Sequence, residues 1–211
     1  MSHQLYLQLV RYYFEEAGFL VRRPPLVDSL RHEKKGGGGG VDLQIIRLGA
    51  SAEKLEAFQL FVSDLTAIES AIVCVRGWGA GGITARMLKN GKAFCGYLEK
   101  NLVRELAVIL GKESEATWGA PESGLVRCKR ILILPGLPSG DPHREAAIRM
   151  LREVGVEHLL TLRSIIEHLI QKAEGLPNPR DPESLQLLHV LKLFEMVRPQ
   201  QMDLFSEVRT R

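Results

Sequence analysis

The sequence predicts an α/β fold, a mixed central sheet flanked by helices, with a helical C-terminal extension. Three observations predict it. Short apolar runs at 19–21, 41–48, 71–75, 126–134 and 156–160 alternate with longer stretches of helical periodicity. Glycine and proline punctuate the junctions, at Gly18, Pro24-Pro25, Gly49 and Pro135-Gly136. The 211 residues are 45% hydrophobic, enough for one good core or one core plus a small helical addition.

The elements follow in order. Leu5, Leu9, Tyr12 and Tyr13 recur at helical spacing and predict an amphipathic helix over 4–17, stopped by Gly18. Phe19-Leu20-Val21 reads as a strand that Pro24-Pro25 ends. The polar stretch 26–40 closes on Gly36 to Gly40 and predicts a mobile loop. Val41 to Leu48 alternates as a strand does. Ser51 is a good N-cap, and Leu55, Phe58, Phe61 and Val62 extend a helix to about Asp64. Ala71 to Val75 predicts a buried strand. After a glycine-rich turn, helix runs over 83–110 with a break near Asn90-Gly91, and its second half carries the stripe Leu98, Leu102, Leu106, Ile109. Residues 111–124 read as a loop. A helix follows over 142–154, with Asp141 as N-cap and Pro142 first, and further helices over 163–174 and 182–197. Domain organisation is expected to be an α/β domain over 1–174, a helical extension over 175–197 and a flexible tail over 198–211.

Charge and cysteine usage narrow the functional classes. Net charge is only +3, so charge alone does not argue for a nucleic-acid partner. Cys74, Cys95 and Cys128 are far apart, make no CxxC pair and read as reduced buried thiols, and the histidines show no zinc spacing with them. No apolar run approaches the roughly 20 residues that span a bilayer. Met1-Ser2-His3-Gln4 lacks a basic region followed by an apolar one, which predicts no signal peptide and a cytoplasmic protein.

Three pieces then line up: a first helix with Glu15 and Glu16, a strand opening on Asp42 just after the glycines, and a strand reading Ala71-Ile72-Val73-Cys74-Val75-Arg76-Gly77-Trp78. This arrangement resembles the PD-(D/E)xK, restriction-endonuclease-like superfamily over about residues 4–170. The resemblance implies a core order α-β-β-β-α-β. It also implies an Asp on the second strand and Glu-x-Lys on the third, the acids holding a divalent cation and the Lys helping to activate water. Asp42 matches the first acid. Cys74 stands where Glu belongs and Arg76 where Lys belongs. Cysteine is a poor ligand for Mg²⁺, and Arg76 stays protonated and cannot serve as a base, although it can hold a phosphate. The expectation is a vestigial site at Asp42, Cys74 and Arg76, with no competent catalyst and no metal. The alternative is a metal-dependent nuclease, using Mg²⁺, in which Glu15, Glu16 or Glu69 supplies a displaced acid.

Gly77-Trp78-Gly79-Ala80-Gly81-Gly82 fits GxGxxG between a strand and a helix, a setting that seats a dinucleotide pyrophosphate. The strand is not the first of its domain, Glu99 lies in a helical stretch, and Trp78 crowds the turn, so a nucleotide enzyme is the weaker alternative. A further reading is that Arg76, Gly79, Gly81, Gly82, Arg86 and Lys89 hold a DNA phosphate.

Gln201-Met202-Asp203-Leu204-Phe205, after Arg198-Pro199, closely resembles the bacterial sliding-clamp-binding peptide Gln-Leu-(Ser/Asp)-Leu-Phe. Met202 replaces Leu at similar volume. Leu204 and Phe205 form an apolar pair that a short tail cannot bury by itself, and Gln201 can hydrogen-bond through both amide and carbonyl. The expected function is a non-catalytic or weakly catalytic accessory protein of bacterial DNA replication or repair. The sliding clamp is its partner, DNA is bound weakly, and no membrane is involved.

Overall fold

In the computed structural model, residues 3–24, 40–49, 55–77, 81–113 and 128–172 are described, with residues 186, 187 and 191. The glycine loop short of Gly40, Gly79, the helix over 182–197 apart from those three positions, and Gln201 to Phe205 lie outside the described residues. The chain divides into two compact units, Met1–Ile165 and Ile166–Arg211.

The first unit is built on a five-stranded mixed sheet of order β1-β2-β3-β4-β5. Helix α1 (His3–Glu16) leads into β1 (Leu20–Arg22) and β2 (Leu43–Ile46). A 3₁₀ turn (Val62–Ala67) precedes β3 (Ser70–Val75). Then come α2 (Ala85–Lys89), α3 (Gly91–Tyr97), a π turn (Leu98–Leu102) and α4 (Val103–Glu113). β4 (Lys129–Leu134), α5 (Asp141–Glu153) and β5 (His158–Thr161) follow, and α6 (Leu162–Lys172) carries the chain on into the second unit. β1, β2 and β3 pair antiparallel, and β3, β4 and β5 pair parallel. The α/β class with a mixed sheet is therefore as the sequence predicts. No helix among the described residues is long and apolar enough to cross a membrane.

Local chemistry explains the punctuation. α1 ends in a Schellman motif: Gly18 N–H donates to Glu15 O, Phe19 N–H donates to Phe14 O, and Gly18 takes φ +84°. The Phe14 and Phe19 rings meet edge-on at 5.6 Å, the apolar contact that accompanies the motif. Asn90 breaks the long helix at φ −102°, ψ 87° and caps α3 by accepting from Ala93 N–H. α5 begins one residue earlier than the sequence suggests, with Gly140 as N-cap and Asp141 as its first residue.

Every residue of β3 is buried. Ile72 and Cys74 on one face of the sheet, with Leu132, Leu134 and Leu159, form a single apolar cluster with Phe94, Leu98, Leu102, Leu106, Ile109, Ala147 and Leu151 of the helices. The other face carries Leu43, Ile45, Val73, Ile131, Ile133 and Leu160, all buried. Val10, Tyr13 and Phe14 of α1, with Leu65 and Ile68 at the 3₁₀ turn, are also buried outside that cluster. Burial on both faces means that the sheet is covered on both sides.

One sequence expectation is overturned. The helix expected from Ser51 to about Asp64 is absent wherever the segment is described. Residues 55–60 form no helix, and Gln59 forms a parallel bridge with Leu159. Leu60 N–H donates to Leu159 O, and Leu159 N–H to Phe58 O. The segment satisfies the outer edge of β5, which otherwise presents a row of unpaired backbone groups. Phe58 and Leu60 are buried at a two-residue period, Phe61 and Val62 are exposed, and Asp64 caps the 3₁₀ turn by accepting from Phe61 N–H. Edge pairing and two buried side chains outweigh local helix propensity here.

Candidate functional site

β2 and β3 deliver the sequence-derived residues to one corner. The register pairs Leu43 with Val73, and Asp42 N–H donates to Val73 O at 3.0 Å, so Asp42 stands opposite Cys74. Alternation along β3 puts Ile72, Cys74 and Arg76 on one face. Arg76 N–H still donates to Ile133 O, which carries the pairing with β4 one step past the strand and fixes where the Arg76 side chain starts.

Among the described residues, the Arg76 guanidinium donates to oxygens of Asp42, Val75, Glu105 and Gly40. Nη1 donates to Asp42 Oδ2 at 2.5 Å and to Val75 O at 3.0 Å. Nε donates to Glu105 Oε1 at 2.6 Å, and Nη2 donates to Gly40 O at 2.7 Å. Asp42 Oδ2 also accepts from Val75 N–H at 2.7 Å, which anchors the carboxylate to the strand. The Arg76 side chain is 9% exposed, against 11% for Asp42 and 22% for Glu105. Burial disfavours the charged guanidinium, but Asp42, Cys74 and Glu105 together outweigh it and hold Arg76 above its ordinary range.

Asp42, Cys74 and Arg76 thus come together as expected, but in different roles. Cys74 is buried in the apolar cluster. Asp42 and Arg76 are an ion pair, and the Arg76 guanidinium donates inward to protein oxygens. Sequence reasoning missed Glu105. It sits on α4 next to Leu106 and seven positions after Leu98, a carboxylate beside a buried stripe, and that placement is the signal that could have found it. The carboxylates proposed as displaced acids lie elsewhere: Glu15 is exposed and paired with Arg11 at 2.7 Å, and Glu16 and Glu69 are exposed. A divalent cation does not fit this corner as it stands, because the guanidinium lies between the two carboxylates. Among the described residues, this corner included, no group of three or more His, Cys, Asp or Glu side chains is placed to hold a metal ion.

Of the glycine turn, Gly77, Gly81 and Gly82 are among the described residues. Gly77 has φ +84°, and a Cβ there would lie 2.7 Å from Ile83 Cδ1 and 3.1 Å from Pro135 Cδ. Gly81 is exposed at φ +79°, and Gly82 is buried. The helix that follows starts only at Ala85, is five residues long, and is capped by Thr84 accepting from Met87 N–H. Arg86, Lys89 and Lys92 are exposed beside this turn.

No protein-family model, no curated protein and no solved structure matches the chain.

Proposed function

We propose that this protein is a non-catalytic accessory factor of bacterial DNA replication or repair, a restriction-endonuclease-like domain tethered to the sliding clamp through Gln201 to Phe205. The observation that carries the non-catalytic half is the Arg76 guanidinium held between Asp42 and Glu105. A hydrolytic phosphodiesterase site needs those carboxylates free to hold a metal and needs a group that can take a proton, and Arg76 supplies neither condition. The connectivity of α1, β1, β2, β3, the following helices and β4 agrees with the α-β-β-β-α-β order that the resemblance implies. The tether rests on the sequence of the tail alone. A clamp raises the effective concentration of its clients at DNA, so the domain needs only weak contacts of its own, in keeping with a net charge of +3. Those contacts fall to exposed Arg86, Lys89 and Lys92.

The test is incubation of the purified full chain with supercoiled, linear and single-stranded DNA in Mg²⁺ or Mn²⁺. No cleavage is expected. Metal-dependent cutting that disappears in Asp42→Ala and in Glu105→Gln would overturn the reading and establish the nuclease alternative, with Glu105 as the displaced acid.

A further inference from the structure

We propose that residues 55–60 form an acid-released strap over the outer edge of β5, with His158 as its latch: a proton on the ring opens the strap while the rest of the sheet stays paired. The strap lies on β5 through backbone bonds, Leu159 N–H to Phe58 O and Leu60 N–H to Leu159 O. From α5, Arg144 Nη2 donates to Gln59 Oε1 at 2.5 Å, and the Arg152 guanidinium lies 5.0 Å from the centre of the Phe58 ring. The latch sits at the start of β5. His158 Nδ1 lies 2.8 Å from Ala57 O, the ring is 3% exposed, and its Nε2 is buried with no hydrogen-bond partner among the described residues. A neutral ring suits this place, because Nδ1–H donates to the strap and Nε2 keeps its lone pair. A proton on Nε2 puts a charge and an unpartnered donor beneath the strap. The nearby acids are each held on a backbone amide: Asp64 Oδ2 accepts from Phe61 N–H at 2.7 Å, and Glu157 Oε2 accepts from Arg130 N–H at 3.0 Å. Lys129 on β4 opposes a charge on the ring. Tyr13 of α1 stays neutral, since burial first and Asp64 second hold its hydroxyl above the ordinary range. Glu56, on the strap itself, is exposed. Burial is the largest influence on His158 and lowers its pKa, whereas a ring that meets water in the open strap has the ordinary value near 6.5. The closed strap therefore binds fewer protons than the open one, and falling pH drives opening below about 6.5. The pairings of β2 with β3 and of β3 with β4 contain no histidine, so they carry no such latch.

The experiment is amide hydrogen exchange of the free full chain, followed by NMR between about pH 7.5 and 5 and corrected for the intrinsic pH dependence of exchange. The reporters are the Leu60 and Leu159 amides, which bond across the strap. The references are the Asp42 and Arg76 amides, which bond to Val73 O and Ile133 O within the sheet. Protection of Leu60 and Leu159 is expected to fall by up to about tenfold per pH unit below about 6.5, the limit for one proton, while the references hold theirs. His158→Asn, whose amide can still donate to Ala57 O, should flatten the fall. Arg144→Ala loosens the strap without touching the ring, and should raise exchange at Leu60 and Leu159 at every pH with the same slope. Wild-type protection that does not change with pH overturns the proposal. So do references that lose protection in step with the strap, which would make the event global unfolding, and a His158→Asn protein that keeps the wild-type slope. If His158→Asn does not fold, NMR titration of the wild-type imidazole decides the matter: His158 should gain its proton over the range in which Leu60 loses protection, and a ring that stays neutral there overturns the latch.

Discussion

Arg76 and His158 are ionisable side chains buried on opposite faces of the same sheet, and the fold treats them in opposite ways. Arg76 donates to oxygens of Asp42, Val75, Glu105 and Gly40 and stays charged. His158, which the register places beside Ile131 on the other face, is given one. Its Nδ1 lies 2.8 Å from Ala57 O and so donates to it, and Nε2 is buried without a hydrogen-bond partner among the described residues. Burial, with a smaller contribution from Lys129, pushes the His158 pKa down against the opposing pull of the Ala57 carbonyl, Glu157 and Asp64. A buried charge persists where the backbone and two carboxylates converge on it. Where a single carbonyl is offered, the neutral form survives and the position becomes sensitive to acid.

The comparison is broken most strongly at Arg76. Arg76→Ala should cost about 3–5 kcal/mol, because it removes the buried cation that Asp42 and Glu105 share. Arg76→Lys should cost less, since it keeps the charge but not the fork that reaches both acids. Chemical denaturation measures both, and a loss below about 1 kcal/mol for Arg76→Ala would mean that the cluster behaves as a surface ion pair.

The next effect lies one residue on. Gly77→Ala places a side chain at φ +84° against Ile83 and Pro135 and should cost about 1–3 kcal/mol, read in the same denaturation series. A neutral result would show that the turn behind Arg76 can relax.

At His158 the sign follows from the lowered pKa. Between that value and the ordinary value near 6.5, the unfolded chain binds more protons than the folded one. Stability is therefore complete above about pH 6.5 and falls as the pH drops through that window, by no more than about 1.4 kcal/mol per pH unit for one proton. His158→Asn should flatten this part of the stability curve. An unchanged slope would place the acid sensitivity in another group.

How much of this was legible depends on how far each residue looks for its partner. The end of α1 was readable because Gly18 closes its own helix within a few residues, and the Asn90 break was readable because its side chain caps the very next turn. The bridge at Gln59 was not, because its partner is Leu159 and the two-residue rhythm of Phe58 and Leu60 was hidden inside a helical spacing. The corner was half legible. Asp42 and Arg76 were singled out together through the family resemblance. Glu105 was not, because it reaches Arg76 from a helix beyond a π turn and its apolar neighbours dominated the pattern.

The smallest effect separates the inward-facing arginine from the outward-facing basic residues. If DNA is held at the glycine turn, replacing Arg86, Lys89 or Lys92 by Ala should each lower the salt dependence of binding by about one counterion, measured by fluorescence anisotropy across a salt series. Equal slopes for wild type and the triple variant would remove these residues from the DNA surface.

Delivery to DNA by the clamp is the centre of the functional account, and one binding measurement tests it most directly. The full chain and its Leu204→Ala/Phe205→Ala variant would be passed over an immobilised bacterial sliding clamp and followed by surface plasmon resonance. Leu204 and Phe205 are the part of the tail that gains most from leaving water, at about 25 cal/mol per Å² buried. The wild type should bind saturably, and the double variant should lose binding while melting at the same temperature. A wild type that does not bind, or a variant that binds equally well, would contradict the account.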